Sequence, residues 1–147
     1  MKGSRRQSRE LALQGLYQWL LNESDAEQVL AQLAGEEGYA RSDQTLLAAL
    51  VDNVIADADL LREQIAPLLD RPIGQLSPIE HAVLLMAASE MRMQPETPYR
   101  VVINEAVELA KAYGGTDGHK YVNGVLDKLA VALRPSEVHS RAKRGGA

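Results

Sequence analysis

Apolar residues recur every three or four positions along almost the whole chain, and that period commits the fold to helices. Leu13, Leu16, Tyr17 and Leu20 form one stripe, Leu46, Leu47, Leu50, Val54 and Ile55 another, and Val102, Ala106, Leu109, Ala110 and Tyr113 a third. Strand-like alternation is nearly absent; its one candidate, Val101, Val102 and Ile103, lies inside a helical pattern. The expected fold class is all-α, with about seven helices.

Start and stop residues set the expected boundaries. Ser4 with Gln7, and Ser24 with Glu27, have capping-box spacing, predicting one helix from Ser4 to about Leu21 and a short one from Ser24 to Gly35. A third helix is expected over Leu46 to Ile55 and a fourth over Leu60 to Leu69, after a break near Asp57 to Asp59. Ser77, Pro78 and Glu80 combine an N-cap, a proline at the first helical position and an acid at the third, so a fifth helix starts there. Pro95 and Pro98 close it and begin a sixth that stops at Gly114 and Gly115; the last runs from about Thr116 or Asp117 to just before Pro135. The Pro72 to Pro78 connector separates an N-terminal group (about 4–71) from a C-terminal one (about 77–134), each with a meagre core of its own. One domain over 1–137, built of two packed three-helix-type subdomains, is expected, with a basic disordered tail over 138–147.

The residue inventory excludes much chemistry. The 147 residues include no cysteine, so thiolate and zinc–sulfur sites are absent. His81, His119 and His139 lack metal-ligand spacing, and no G-x-S-x-G or phosphate-binding glycine loop occurs. Glu105 and Glu108 could share a helix face for acid–base work, but a solvated face explains them better. No catalytic residue, metal or cofactor is expected. Without a long apolar run or signal peptide, the expected setting is cytoplasmic, with no membrane partner.

Charge is distributed unevenly. Residues 1–9 carry Lys2, Arg5, Arg6 and Arg9, and residues 138–147 carry Arg141, Lys143 and Arg144, with no acid in either stretch. The remaining 9 Lys and Arg stand against all 20 Asp and Glu, so a body of net −11 lies between two basic ends. On a helix the N-terminal cations extend the apolar stripe of Leu13, Leu16 and Tyr17. A first helix overhanging the bundle would offer them to a phosphate backbone; the alternative is a merely solubilising terminus. Duplex readout is not expected, since no helix-turn-helix pair presents a basic recognition helix. A second candidate element opens the last helix: Asp117, Lys120 and Tyr121 combine a helix N-terminus, a cation and a ring on which an unpaired base could stack. Tyr121 could equally be a core ring beside Val122 and Val125.

The segments Arg5 to Tyr17 (RRQSRELALQGLY), Ile79 to Leu84 (IEHAVL), Pro98 to Lys111 (PYRVVINEAVELAK) and Tyr121 to Lys128 (YVNGVLDK) resemble the NusB family of bacterial transcription antitermination factors, over residues 2 to about 135. The resemblance implies a non-catalytic protein that pairs with the ribosomal protein NusE and binds single-stranded boxA RNA. With other Nus factors it would join the RNA polymerase antitermination complex in ribosomal RNA transcription. It implies RNA contacts at Arg5, Arg6 and Arg9, with Lys2 a weaker candidate, and at Tyr121 with Asp117 and Lys120 beside it; Glu80 would belong to the partner surface. A homodimer hiding the arginine-rich face is a further state it allows. Related domains also occur fused to ribosomal RNA methyltransferases, which leaves an accessory domain of an RNA-modifying system, or a helical scaffold, as alternative readings. Gln7 stands where some relatives have a third arginine, Leu85 where an arginine is frequent, and Ser89 where an aromatic is frequent; the last two bear on the expected partner surface.

Overall fold

A computed structural model describes residues 3–145, and of residues 141–145 the backbone alone. Among the described residues there are seven α-helices and no β-strand: α1 Arg5–Asn22, α2 Ala26–Leu33, α3 Gln44–Ile65, α4 Pro78–Met93, α5 Tyr99–Tyr113, α6 Gly118–Leu133 and α7 Pro135–Gly145. None is long and apolar enough to cross a membrane.

The caps act largely as their residue types dictate. Ser4 accepts from the Gln7 amide at the start of α1, and Ser77 with Glu80 closes a full capping box on α4. At α2 the cap falls one residue later than expected: Asp25 pairs reciprocally with Gln28, a carboxylate taking the role assigned to Ser24. The expected third and fourth helices are one element, α3, with non-helical angles at Asp57 only. The break read from sequence is therefore a kink that redirects the apolar stripe without ending the helix.

The expected disordered tail is also corrected as far as Gly145, for the chain continues beyond Pro135 as α7, while residues 146–147 of that tail lie outside the described residues. Proline is compatible with a first helical position, where no intrahelical N–H bond is needed. Glu137 on this helix pairs with Arg134 and accepts from the Tyr99 amide, and Val138 packs on the core. Tyr99 follows Pro98, which has no side-chain acceptor, so α7 supplies the missing cap of α5 from a distance in sequence.

At the centre lies α4, in contact with α1, α3, α5 and α6. Its residues Ala82 to Met91 are all buried, which requires an apolar circumference rather than a single stripe. Leu85 and Ser89 are among them, so neither reaches a partner surface, contrary to the expectation attached to them. One hydrophobic cluster runs from Leu11, Leu16, Leu47 and Leu61 through Leu84 to Leu126 and Leu129, joining both helical groups. On its flank, α1 and α2 approach closely at Gly15, where a Cβ would lie 2.7 Å from Val29.

Candidate functional site

The beginning of α1 does not overhang the bundle. The Ser4 amide donates to the Arg41 carbonyl at 2.7 Å, the Asp43 amide donates to the Ser4 carbonyl at 3.1 Å, and the Ser8 hydroxyl donates to the Asp43 carbonyl at 2.6 Å. These bonds hold the starts of α1 and α3 together and fix where each arginine goes. Arg5 reaches Asp43 at 3.7 Å and donates to Thr97. Arg6 points outward and donates twice to Glu105 of α5, at 3.3 and 3.0 Å. Glu105 holds the Arg6 guanidinium above its ordinary pKa through these bonds and its charge.

Arg9 departs from the expected RNA surface. It is 5% exposed, between α1 and α4, and donates from Nε to Glu90 at 3.0 Å, with a second bond from Nη2 to the same carboxylate. Burial disfavours its charge, but the bond and charge of Glu90 outweigh it, and the pKa is raised. The guanidinium is enclosed rather than offered to solvent, and Arg9 stands in this structure as an internal ion-pair residue. Lys2 lies outside the described residues.

Beside Arg6 an open polar furrow of about 500 Å³ includes Asn104, Glu105, Glu108 and Lys111. Glu105 is engaged by Arg6, and Glu108 lies 3.6 Å from Lys111, so the two carboxylates face cations rather than each other. That arrangement supports charge recognition, not paired acid–base chemistry. No group of three or more metal-type side chains occurs among the described residues.

The second element assembles at the start of α6. Asp117 and Lys120 form an exposed pair at 3.6 Å, and Asp117 makes no side-chain cap bond. Tyr121 is partly buried against the core, and its hydroxyl accepts weakly from the Asp70 amide at 3.4 Å. Partial burial raises the phenol's pKa. Over its ring, 4.3 Å from the centroid, lies the guanidinium of Arg71. Arg71 does not stand out in the sequence: it falls between the apolar stripe that ends at Leu69 and the connector that begins at Pro72, and a lone cation two residues beyond Leu69 is its only local signal.

Glu80 packs against the start of this element. Its Oε1 accepts from the Ser77 amide, and its Oε2 would be 2.9 Å from a Cβ placed on Gly118, so the absence of a side chain there admits the carboxylate. The adjacent Ile79 lines a groove of about 270 Å³ between α1, α4 and α5. Leu13, Tyr17 and Tyr113 give it apolar walls, and Glu10 and Glu37 bring negative charge. His81, on the other side of α4's first turn, is half-buried and accepts from Arg62 Nε at 3.2 Å. Burial, with the charge of Arg62, lowers its pKa to about 4.

Comparison with known proteins places these features in a family context. A family model described as the NusB family matches residues 6–131. The transcription antitermination protein NusB of Burkholderia mallei (strain SAVP1) and that of Burkholderia pseudomallei (strain K96243) are each 61% identical over 140 residues, covering 95% of this chain and 97% of their own. Among solved structures, T. maritima NusB superposes with a TM-score of 0.84 at 29% identity, covering 93% of this chain and 97% of that one. A crystal structure of the antitermination factors NusB and NusE in complex with dsRNA gives 0.80 at 24% identity, covering 87% and 96%, a likeness of fold.

Proposed function

The chain belongs to the NusB family, and from that premise we propose that it is a transcription antitermination adaptor which binds boxA RNA jointly with the ribosomal protein NusE and carries out no reaction itself. Arg5 and Arg6 at the start of α1, and Asp117, Lys120 and Tyr121 at the start of α6, are the RNA-facing residues of this reading. The groove at Ile79, with Glu80 beside it, is the seat of the ribosomal protein: its apolar walls provide contact area and its carboxylates suit a basic partner. The complex then acts with other Nus factors on RNA polymerase during ribosomal RNA transcription.

The observation that carries this reading is the contact of Glu80 with Gly118. Glu80 lies against the turn that carries Lys120 and Tyr121, and with Glu80 read as a partner-side carboxylate, RNA bound at α6 would border on the ribosomal protein. Two weak surfaces sharing a border combine into one selective site. Because Arg6 is an exposed ion-pair residue, exchanging Glu105 for a phosphate costs it little. Titration of labelled boxA and scrambled oligoribonucleotides, with and without the ribosomal protein, tests the proposal. Tighter binding of boxA, enhanced by the partner, is expected; equal affinity for both sequences in the presence of the partner would refute it.

A further inference from the structure

Resting on the RNA-binding reading above, we propose that the stacking surface offered to an unpaired RNA base is the guanidinium of Arg71, with Tyr121 as the platform beneath it. The Tyr121 ring is packed on the core, while Arg71 covers it from the exposed side at 4.3 Å. A base approaching this point from solvent therefore meets the guanidinium plane before it meets the ring. Both are flat and polarisable, and bases stack on arginine planes as they do on aromatic rings.

The plane is held in place. Arg71 Nε donates to Asp70 Oδ1 at 2.7 Å and Nη2 to Oδ2 at 3.4 Å, while the Asp70 amide donates to the Tyr121 hydroxyl. Carboxylate, guanidinium and phenol thus form a closed unit, and in keeping with it Asp70 is held below its ordinary pKa by Arg71. The fork leaves both Nη1 hydrogens and one on Nη2 free for acceptors on a base edge or ribose. Local charge argues for stacking over a phosphate clamp. Arg71 and Lys120 stand among Asp70, Glu80 and Asp117, so the neighbourhood has no net positive charge to attract a phosphate.

The test uses the full chain with its ribosomal partner and a fluorescein-labelled boxA oligoribonucleotide, with anisotropy measured across a salt series. Arg71→Ala is expected to weaken binding about tenfold, the order of one lost base stack. The slope of log affinity against log salt should not change, and Arg71→Lys should fail to restore affinity, because an ammonium is not planar. Asp70→Asn, which loosens the plane and keeps the shape, should give a smaller loss of the same salt-independent kind. Unchanged binding by Arg71→Ala would overturn the assignment. So would recovery in Arg71→Lys, or a loss that appears as a reduced salt slope, either of which would make Arg71 a phosphate contact. If the wild-type complex failed to bind boxA, the RNA-binding reading would fall and this inference with it; normal wild-type binding beside an unaffected Arg71→Ala would remove this inference alone.

Discussion

Arg6 and Arg9 lie three residues apart on one helix and do opposite work. Arg6 faces solvent, and Arg6→Ala is expected to weaken RNA binding and reduce the salt slope by about one while leaving the fold intact by circular dichroism. Arg9 is enclosed with Glu90, their side chains 6% and 4% exposed, so removing either partner leaves an uncompensated buried charge. Arg9→Ala should cost about 3–5 kcal/mol in urea unfolding, whereas Arg9→Met with Glu90→Leu should recover most of that stability. Helical spacing revealed that both arginines continue the core-facing stripe. It could not reveal that the bundle extends past Arg9, because that depends on Glu90 arriving from a helix far along the chain. His81 adds a pH dependence. Its folded pKa of about 4 lies below the ordinary 6.5, so the folded state binds fewer protons in that window and the unfolded state is favoured as pH falls. The contribution of neutral His81 is complete above about pH 6.5 and is lost progressively toward pH 4. His81→Gln, which retains an acceptor for Arg62, should flatten the stability profile over that window. The sole tryptophan, Trp19, whose ring centroid lies 5.7 Å from Arg62, provides a fluorescence readout.

At the scale of elements, local chemistry was easiest to read where one or two residues decide the outcome. The capping box at Ser77 and Glu80 is of that kind, and α4 starts where those residue types require. At α2 two adjacent residues compete for the cap, and Asp25 takes it with Gln28 three positions on. Pro135 reads as a stop because it cannot continue a helix; it also starts one well, and what retains α7 is the distant set of partners met by Arg134 just before it and by Glu137 within it. Arg134 donates to the carbonyls of Met91, Gln94 and Thr97, tying the α4–α5 turn to the end of α6, and Glu137 completes that network by capping α5. Glu137→Ala should therefore lower stability by about 1 kcal/mol, the usual cost of losing a cap, with RNA affinity unchanged. An equal loss in Glu137→Gln would show that the charge on Arg134, rather than the acceptor at Tyr99, carries the effect.

The whole molecule brings together what its sequence separates. Tyr121, Asp70 and Arg71 meet only because α6 packs beside the end of α3, and Glu80 meets Gly118 only because α4 and α6 share the core. Position at a helix start could nominate Tyr121, and the family resemblance Glu80; their adjacency, and Arg71 altogether, required the packing. That adjacency makes Glu80 a difficult residue to test, since it caps α4, fills the space over Gly118 and is also the carboxylate proposed to face the ribosomal partner. Glu80→Lys would disturb all three. Glu80→Gln keeps an acceptor for the Ser77 amide and nearly the same volume, and removes only the charge. If the carboxylate attracts a basic partner, Glu80→Gln should weaken the complex about five- to tenfold at low salt, and the deficit should shrink as salt is raised. The melting temperature of the free chain should stay the same. A drop in melting temperature that matches the loss of affinity would instead assign Glu80 to the architecture of α4, leaving the apolar walls of Tyr17 and Tyr113 to hold the partner.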